Sequence, residues 1–337
     1  MNGIRPGYTL GGMANLTIWC NANLANSAAA MLTGGISQHI LLLAEQRTGN
    51  LAAGGPDPLL QKADIAFGQP DPKQVIQLTN LRWVHLSSAG YARYDRPDVY
   101  EALRRRGAAL STSSHVFDEP CAEHLLAFML AQARQLPRSL ENQWGPRGWP
   151  IDQIRPQERL LMGQSAILLG FGAIARRLVE LLAPLRMSLA AVRRNPRGDE
   201  PIPVHPLDQL PRLLATADHV VNVLPDSPST KRLIDSAQFA AMKNGAVFYN
   251  VGRGVTVDQP ALLAALRSGR LAAAYLDVTD PEPPPPDDPI WSVPNCWITP
   301  HAAGGHQDES ERVVAHFLEN LRRFEAGDPL LDRVSVE

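Results

Sequence analysis

Three stretches of this chain put reactive side chains on unusually bare backbone. "FYNVGRGV" (248–255) is apolar up to Asn250 and then sets Arg253 between Gly252 and Gly254. "LDVTDPEPPPP" (276–286) carries Asp277 and Glu282, and "ITPHAAGG" (298–305) carries His301. Each follows an apolar run that reads as a strand of one α/β set. All three should therefore emerge at the carboxyl edge of one sheet, where open α/β folds bind ligands. An arginine, a carboxylate and a histidine collected there beside a nicotinamide suit a 2-keto acid. A glycine turn with a surface arginine is the plainer reading of "NVGRG" taken alone.

The nicotinamide is implied by "ILLGFGAIARRL" (167–178). Gly170, Gly172 and Ala175 form a GxGxxA pattern between an apolar strand and an amphipathic helix. Gly170 permits the tight turn. Gly172 lets a pyrophosphate approach the backbone N–H groups at the helix N-terminus, around Ala173 and Ile174, and Ala175 lets helix and strand pack closely. The next strand ends in "AVRRNPRG", where an NAD site usually places an acid for the ribose 2′-hydroxyl. Here that position is Arg193, followed by Arg194 and Asn195, and the first acid is Asp199. Two guanidiniums suit a 2′-phosphate, so NADP is expected in preference to NAD, with NAD use still possible. A solvated loop is the bland alternative.

The elements that must position these groups form two successive α/β sets. The first has apolar runs at 16–20, 39–44, 63–68 and 81–90. The second has them at 165–172, 187–194, 217–225, 245–252, 272–278 and 296–301. Strands alternating with helices over this length imply two parallel sheets covered on both faces. Between them, "EPCAEHLLAFMLAQARQL" (119–136) reads as a long helix with an acidic start near Pro120. After it comes a tryptophan- and proline-rich segment, 142–158, read as an ordered arm or an exposed linker.

A chain of 337 residues, 45% hydrophobic, has material for two domains. A net charge of −2 with mixed signs argues against a nucleic-acid surface. Cys20, Cys121 and Cys296 are far apart and lack metal-like spacing, so a reducing compartment and no metal are expected. No run is long enough to span a bilayer and the first residues lack a signal-peptide core, which together suggest the cytoplasm. Met13 is an alternative start.

Nearly end to end, the chain resembles the D-isomer-specific 2-hydroxyacid dehydrogenases. The resemblance is carried in order by "GFGAIA", "LPDSPSTKRLID", "MKNGAVFYNVGRG", "LDVTDPEP" and "ITPHAAG". It implies a flavodoxin-like substrate domain (1–117 plus 307–337) and a Rossmann-like cofactor domain (118–306) around a cleft. The C-terminal helix, 308–327, would complete the first domain. It also implies a homodimer built through the interdomain helix and arm. His301 would be the general acid, held as imidazolium by Glu282, and Arg253 would bind the substrate carboxylate and keto oxygen. The coenzyme would also touch Leu224, Pro225, Thr230, Val251, Gly252, Asp277, Ala303 and Gly304. The substrate carboxylate would meet "SSAGY" at Ser88, Ala89 and Gly90, although a plain turn would look much the same.

Among other residues, His85 reads as a satisfied sheet position, and His115, His124 and His306 as structural or surface histidines. Ser113 and Ser114 look merely polar, "PEPPPP" looks like a stiff polyproline loop, and Trp149 is a candidate to reach a neighbouring subunit. Within the family, formate dehydrogenases carry glutamine where this chain has Glu282. Phosphoglycerate dehydrogenases often append a regulatory domain, and this chain ends soon after its closing helix. A phosphite dehydrogenase and a dinucleotide-sensing corepressor keep similar residues and stay open. The sequence does not size the side-chain pocket.

Overall fold

The computed structural model describes residues 15–335, so the alternative start at Met13 lies outside the described residues. The chain forms two compact units, one from the residues up to Ser113 together with those from Asp308, the other Ser114–Gln307.

The first unit holds β1 (Thr17–Ala22), β2 (Ile40–Thr48), β3 (Ile65–Gly68), β4 (Trp83–Leu86) and β5 (Ala109–Ser111). They pair in parallel in the order β2-β1-β3-β4-β5, the flavodoxin-like winding. β3 and β4 are buried along their whole length, which is why they read as apolar runs, broken in β4 only by His85. The helix Glu309–Ala326 packs on this sheet, with Phe317 stacked on Phe67 at a ring separation of 4.2 Å and on Trp83 at 5.3 Å. His85 is a satisfied sheet position. Ser113 Oγ donates to Leu86 O at 2.9 Å and so accepts from His85 Nε2 at 3.2 Å, which leaves Nδ1 to accept from Ser111 Oγ at 2.8 Å, itself an acceptor from the Trp83 indole. Burial holds this ring well below the ordinary histidine pKa.

The second unit holds β6 (Ser165–Leu169), β7 (Ser188–Val192), β8 (Val204–His205), β9 (His219–Asn222), β10 (Ala246–Asn250), β11 (Leu271–Leu276) and β12 (Cys296–Ile298). The order β12-β11-β10-β9-β6-β7-β8 is the doubly wound Rossmann arrangement with a strand added, and its direction of winding reverses between β6 and β9. Apolar clusters cover both faces, one around Phe239, Phe248 and Leu262, the other around Leu125, Met129 and Tyr249.

The helix expected at 119–136 instead spans Ser114–Ala133, and Pro120 lies inside it. Buried residues lie on both sides of the proline, Val116 before it and Cys121 and Ala122 after it. Gln135, with φ of 52°, then separates it from a further helix, Leu136–Trp144. The 142–158 segment takes in the end of that helix and then two short helical turns, Ile151–Ile154 and Arg155–Gln157, and leaves Trp144 72% and Trp149 88% exposed. Among the described residues no helix is long and apolar enough to cross a membrane.

His219 ties strands of the second sheet together. Gln164 Oε1 accepts from its Nε2 at 2.7 Å, so Nδ1 accepts from the Tyr249 hydroxyl at 3.0 Å. Burial pushes this ring down to about 4. The unfolded chain binds the proton from about pH 6.5 downward. The stabilisation from the neutral ring is therefore complete above pH 6.5 and is lost as pH falls toward 4, roughly 3 kcal/mol in all. Urea unfolding at pH 7.5, 5.5 and 4.5 should show a shallower pH slope for His219→Gln than for wild type. Identical slopes would contradict the assignment.

Candidate active site

The glycine turn follows β6. Gly170 takes φ of 98°, a backbone state that side chains rarely adopt, and its N–H donates to Val192 O at 2.9 Å. Gly172 opens the helix Ala173–Leu182, which has no side-chain cap, and nothing lies within 4 Å of where a Cβ on Gly172 would stand. Ala175 is fully buried. The first N–H groups of this helix, around Ala173 and Ile174, thus carry no side-chain cap and follow a glycine with open space at its Cβ position. That arrangement fits the pyrophosphate of a dinucleotide.

At the end of β7 the two arginines behave differently. Arg193 Nη1 lies 3.2 Å from Glu200 Oε1. The Glu200 side chain is only 2% exposed, and its carboxylate also accepts from the N–H groups of Arg197 (3.0 Å) and Gly198 (2.8 Å). The Arg197 N–H first of all keeps its pKa below the usual carboxylate range. Arg194 reaches across to donate to Ser229 Oγ. Ser229 sits on the turn carrying Leu224 and Pro225, and Thr230 Oγ1 pins that turn by donating to Pro225 O at 2.6 Å. Asn195 is exposed on the loop. Neither Glu200 nor Ser229 had a signal in the sequence, because each partnership depends on how a loop folds.

Arg253 is held by a buried polar network. Asn222 Nδ2 donates to Asn250 Oδ1 (3.0 Å) and Thr256 Oγ1 (2.7 Å). Gly252 N–H donates to Asn250 Oδ1 (3.0 Å), and Thr256 Oγ1 donates to Arg253 O (2.6 Å). The apolar strand ends in Asn250 because that amide clamps the turn. The bare backbone also has a steric cause. A Cβ on Gly254 would fall 1.8 Å from Thr279 O, and one on Gly252 would fall 2.6 Å from Leu224 O. Val251 is buried beside them, and the guanidinium Nη1 of Arg253 donates to Gly252 O at 2.6 Å.

His301 lies on a turn that Asp277 fixes. Asp277 Oδ1 accepts from Thr299 Oγ1 (2.6 Å) and Ala302 N (2.8 Å), and Oδ2 accepts from Ala303 N (3.0 Å). His301 itself takes φ of 52°, uncommon for a residue with a Cβ. Its Nδ1 meets Glu282 Oε1 at 2.5 Å. Gly304 packs tightly under Phe117, leaving no room for a larger residue without adjustment. The histidine at 124, read as structural, stands behind this turn with Nε2 3.1 Å from Thr299 Oγ1. Arg253, Glu282, His301, Asp277 and the glycine turn are all on the carboxyl side of one sheet, as their order after strands required.

In the first unit, Ser88 is buried and Ala89 and Gly90 are half-buried, directly after β4. The Ser88 hydroxyl donates to Gly90 O at 2.7 Å, so this is an ordered turn at the carboxyl edge of its own sheet.

The profile described as "D-isomer specific 2-hydroxyacid dehydrogenase, NAD binding domain" matches residues 126–303. Glyoxylate/hydroxypyruvate reductase B of Citrobacter koseri is 32% identical over 253 residues, covering 73% of this chain and 75% of that protein. A D-isomer specific 2-hydroxyacid dehydrogenase of Xanthobacter autotrophicus, solved with NADPH and MES, superposes with a TM-score of 0.79 at 27% identity, over 96% of this chain and 99% of that one. An NADPH-dependent glyoxylate/hydroxypyruvate reductase of Sinorhizobium meliloti has the same fold, at a TM-score of 0.76 and 23% identity. The chain belongs to the D-isomer specific 2-hydroxyacid dehydrogenases, a family of oxidoreductases.

Proposed function

We propose that the protein reduces a small 2-keto acid of the glyoxylate or hydroxypyruvate type, with NADP(H) as preferred coenzyme. The observation that carries this reading is the His301–Glu282 pair on the same sheet edge as Arg253 and the uncapped glycine turn. When bound, the nicotinamide supplies the hydride, and the reverse reaction returns it there. Glu282 occupies Nδ1 of His301, so Nε2 is the nitrogen that gives a proton to the carbonyl oxygen as it gains negative charge. Arg253 offers a planar pair of N–H groups to the substrate carboxylate and keto oxygen. The backbone donors of Ala89 and Gly90 bind the carboxylate. Asp277 positions His301 and also stands where the resemblance puts a contact to the nicotinamide amide.

The coenzyme preference rests on Arg194 and Ser229, with Arg193 braced by Glu200. A charge-assisted hydrogen bond lost to the 2′-phosphate corresponds to roughly a 10- to 100-fold effect. Arg194→Ala should raise KM for NADPH by about that factor and leave KM for NADH within twofold. Adding Arg193→Ala should extend the loss. Equal changes for both coenzymes would remove the phosphate-clamp reading. The exposed Leu136, Leu140, Trp144 and Trp149 on the helix and arm favour pairing with a second copy of this chain, which sedimentation would show as a dimer. Three unpaired cysteines suit a reducing, cytoplasmic setting.

The test is loss of nicotinamide absorbance with glyoxylate, hydroxypyruvate, pyruvate and phenylpyruvate, each run with NADPH and with NADH. Turnover favouring NADPH and the smaller acids is expected. Coenzyme binding without turnover of any keto acid would overturn the reductase reading in favour of a sensing role or another substrate such as phosphite.

A further inference from the structure

We propose that Gln69 is a positioning residue for the turn Ser88–Gly90. This deepens the functional reading above and rests on its assignment of that turn to the substrate carboxylate. Gln69 directly follows β3 and is 1% exposed. Its amide has a defined orientation. Oε1 faces Arg93 Nη1 at 3.5 Å, while Nε2 donates to Ser88 Oγ at 3.0 Å and to Ser87 Oγ at 3.3 Å. Because the Ser88 oxygen accepts from Gln69, its own proton is free to go elsewhere, and it goes to Gly90 O at 2.7 Å. The result is a directed chain from Gln69 through Ser88 to the carbonyl of Gly90. Glycine restrains its own φ and ψ less than any other residue. The peptide plane after Gly90, and with it the setting of the turn, therefore depends on a hold from outside the turn.

That hold is anchored firmly. Gln69 N–H donates to Asn21 Oδ1 at 2.7 Å, Asn21 Nδ2 donates back to Gln69 O at 2.9 Å, and the same Nδ2 lies 3.2 Å from Thr48 Oγ1. The network thus joins the carboxyl ends of β1, β2, β3 and β4. Arg93, three residues beyond Gly90, donates to Leu51 O at 2.6 Å and to Ala52 O, tying the loop after β2 into the same cluster. An apolar residue at 69 would continue the apolar run of β3 without needing partners. Burying an amide is costly unless every group finds one, and here its groups are directed at the turn.

The experiment measures steady-state KM for glyoxylate and for NADPH, the urea midpoint, and amide hydrogen exchange over residues 87–91, in wild type, Gln69→Met, Ser88→Ala and the double variant. Gln69→Met keeps length and volume and removes the donor. Its expected effect is a rise in KM for glyoxylate on the order of tenfold, with KM for NADPH within twofold and faster exchange confined to 87–91. Ser88→Ala should give a similar rise, and the double variant little more than either single one, since both break the same chain. An unchanged KM for glyoxylate in Gln69→Met overturns the proposal. So does a shared rise in both KM values with a lowered urea midpoint, which would assign Gln69 to general stability, and so does full additivity with Ser88→Ala. If wild type turns over no keto acid at all, the functional reading fails and takes the proposal with it. Turnover by wild type with unaffected variants defeats the proposal alone.

Discussion

Replacing His301 by asparagine is expected to lower kcat for 2-keto acid reduction on the order of a thousandfold, within the range of a lost general acid. Asparagine is a fairer replacement than alanine because His301 holds φ of 52°, and asparagine tolerates the left-handed region. The turn should survive, since Asp277 fixes it through Thr299, Ala302 and Ala303 and not through the ring. NADPH affinity, read from quenching of protein fluorescence, should therefore change little. Glu282→Gln supplies the companion measurement. Its amide oxygen can still accept from Nδ1, so the ring keeps its orientation and loses only the negative charge beside it. A smaller fall in kcat, with a displaced pH profile, is expected. Equal losses of coenzyme binding and turnover in His301→Asn would make the ring a structural element and remove it from the chemistry.

The second large effect concerns Gly254. Alanine there would place its Cβ 1.8 Å from Thr279 O and 2.1 Å from Thr279 C, so backbone must move. Overpacking of this kind costs about 3 kcal/mol, and more where the obstacle is main chain and not a flexible side chain. The displaced segment, Thr279–Asp280, leads directly to Glu282. A shift there would also pull the carboxylate off His301 Nδ1. Gly254→Ala should therefore lower the urea midpoint sharply, and the folded fraction should have lost most of its kcat. Gly245→Ala makes a useful contrast. That glycine has φ of 78° but open space around its Cβ position, so only a local backbone penalty and normal turnover are expected. A stable, fully active Gly254→Ala enzyme would show that the two strand-end loops are not packed as described.

Both predictions rest on residues that the sequence displayed openly. Glycines flanking Arg253, a GxGxxA turn, and a carboxylate and a histidine each one loop past a strand are local patterns. Backbone sterics and side-chain chemistry operate within a few residues, so they leave a mark in a short window. The two parallel sheets were legible for the same reason, as buried strands have continuous apolar runs. β5 and β8, of three and two residues, were too short to carry any periodicity. The helix at 114–133 was placed five residues late at its start because Pro120 and the acids beside it are a local start signal, whereas the folded helix begins at Ser114 and carries Pro120 inside it.

What the chain's order of residues left open is mostly the identity of partners. Arg193 read as a free phosphate ligand, but the folded loop sets it against Glu200. Asn250 looked like the end of an apolar strand, and its clamp on the Arg253 turn needs Asn222 from the neighbouring strand, which also donates to Thr256 on the far side of that turn. Gln69 carried no signal at all, because Asn21, Ser88 and Arg93 become its neighbours only when four strands end side by side. By itself the sequence determined which residues could do the chemistry and that they would gather at strand ends, since both follow from local sterics and side-chain type. Only the tertiary structure decided which buried polar groups hold them there. A hydrogen bond selects its partner by distance and direction in space, and neither is written in the spacing along the chain.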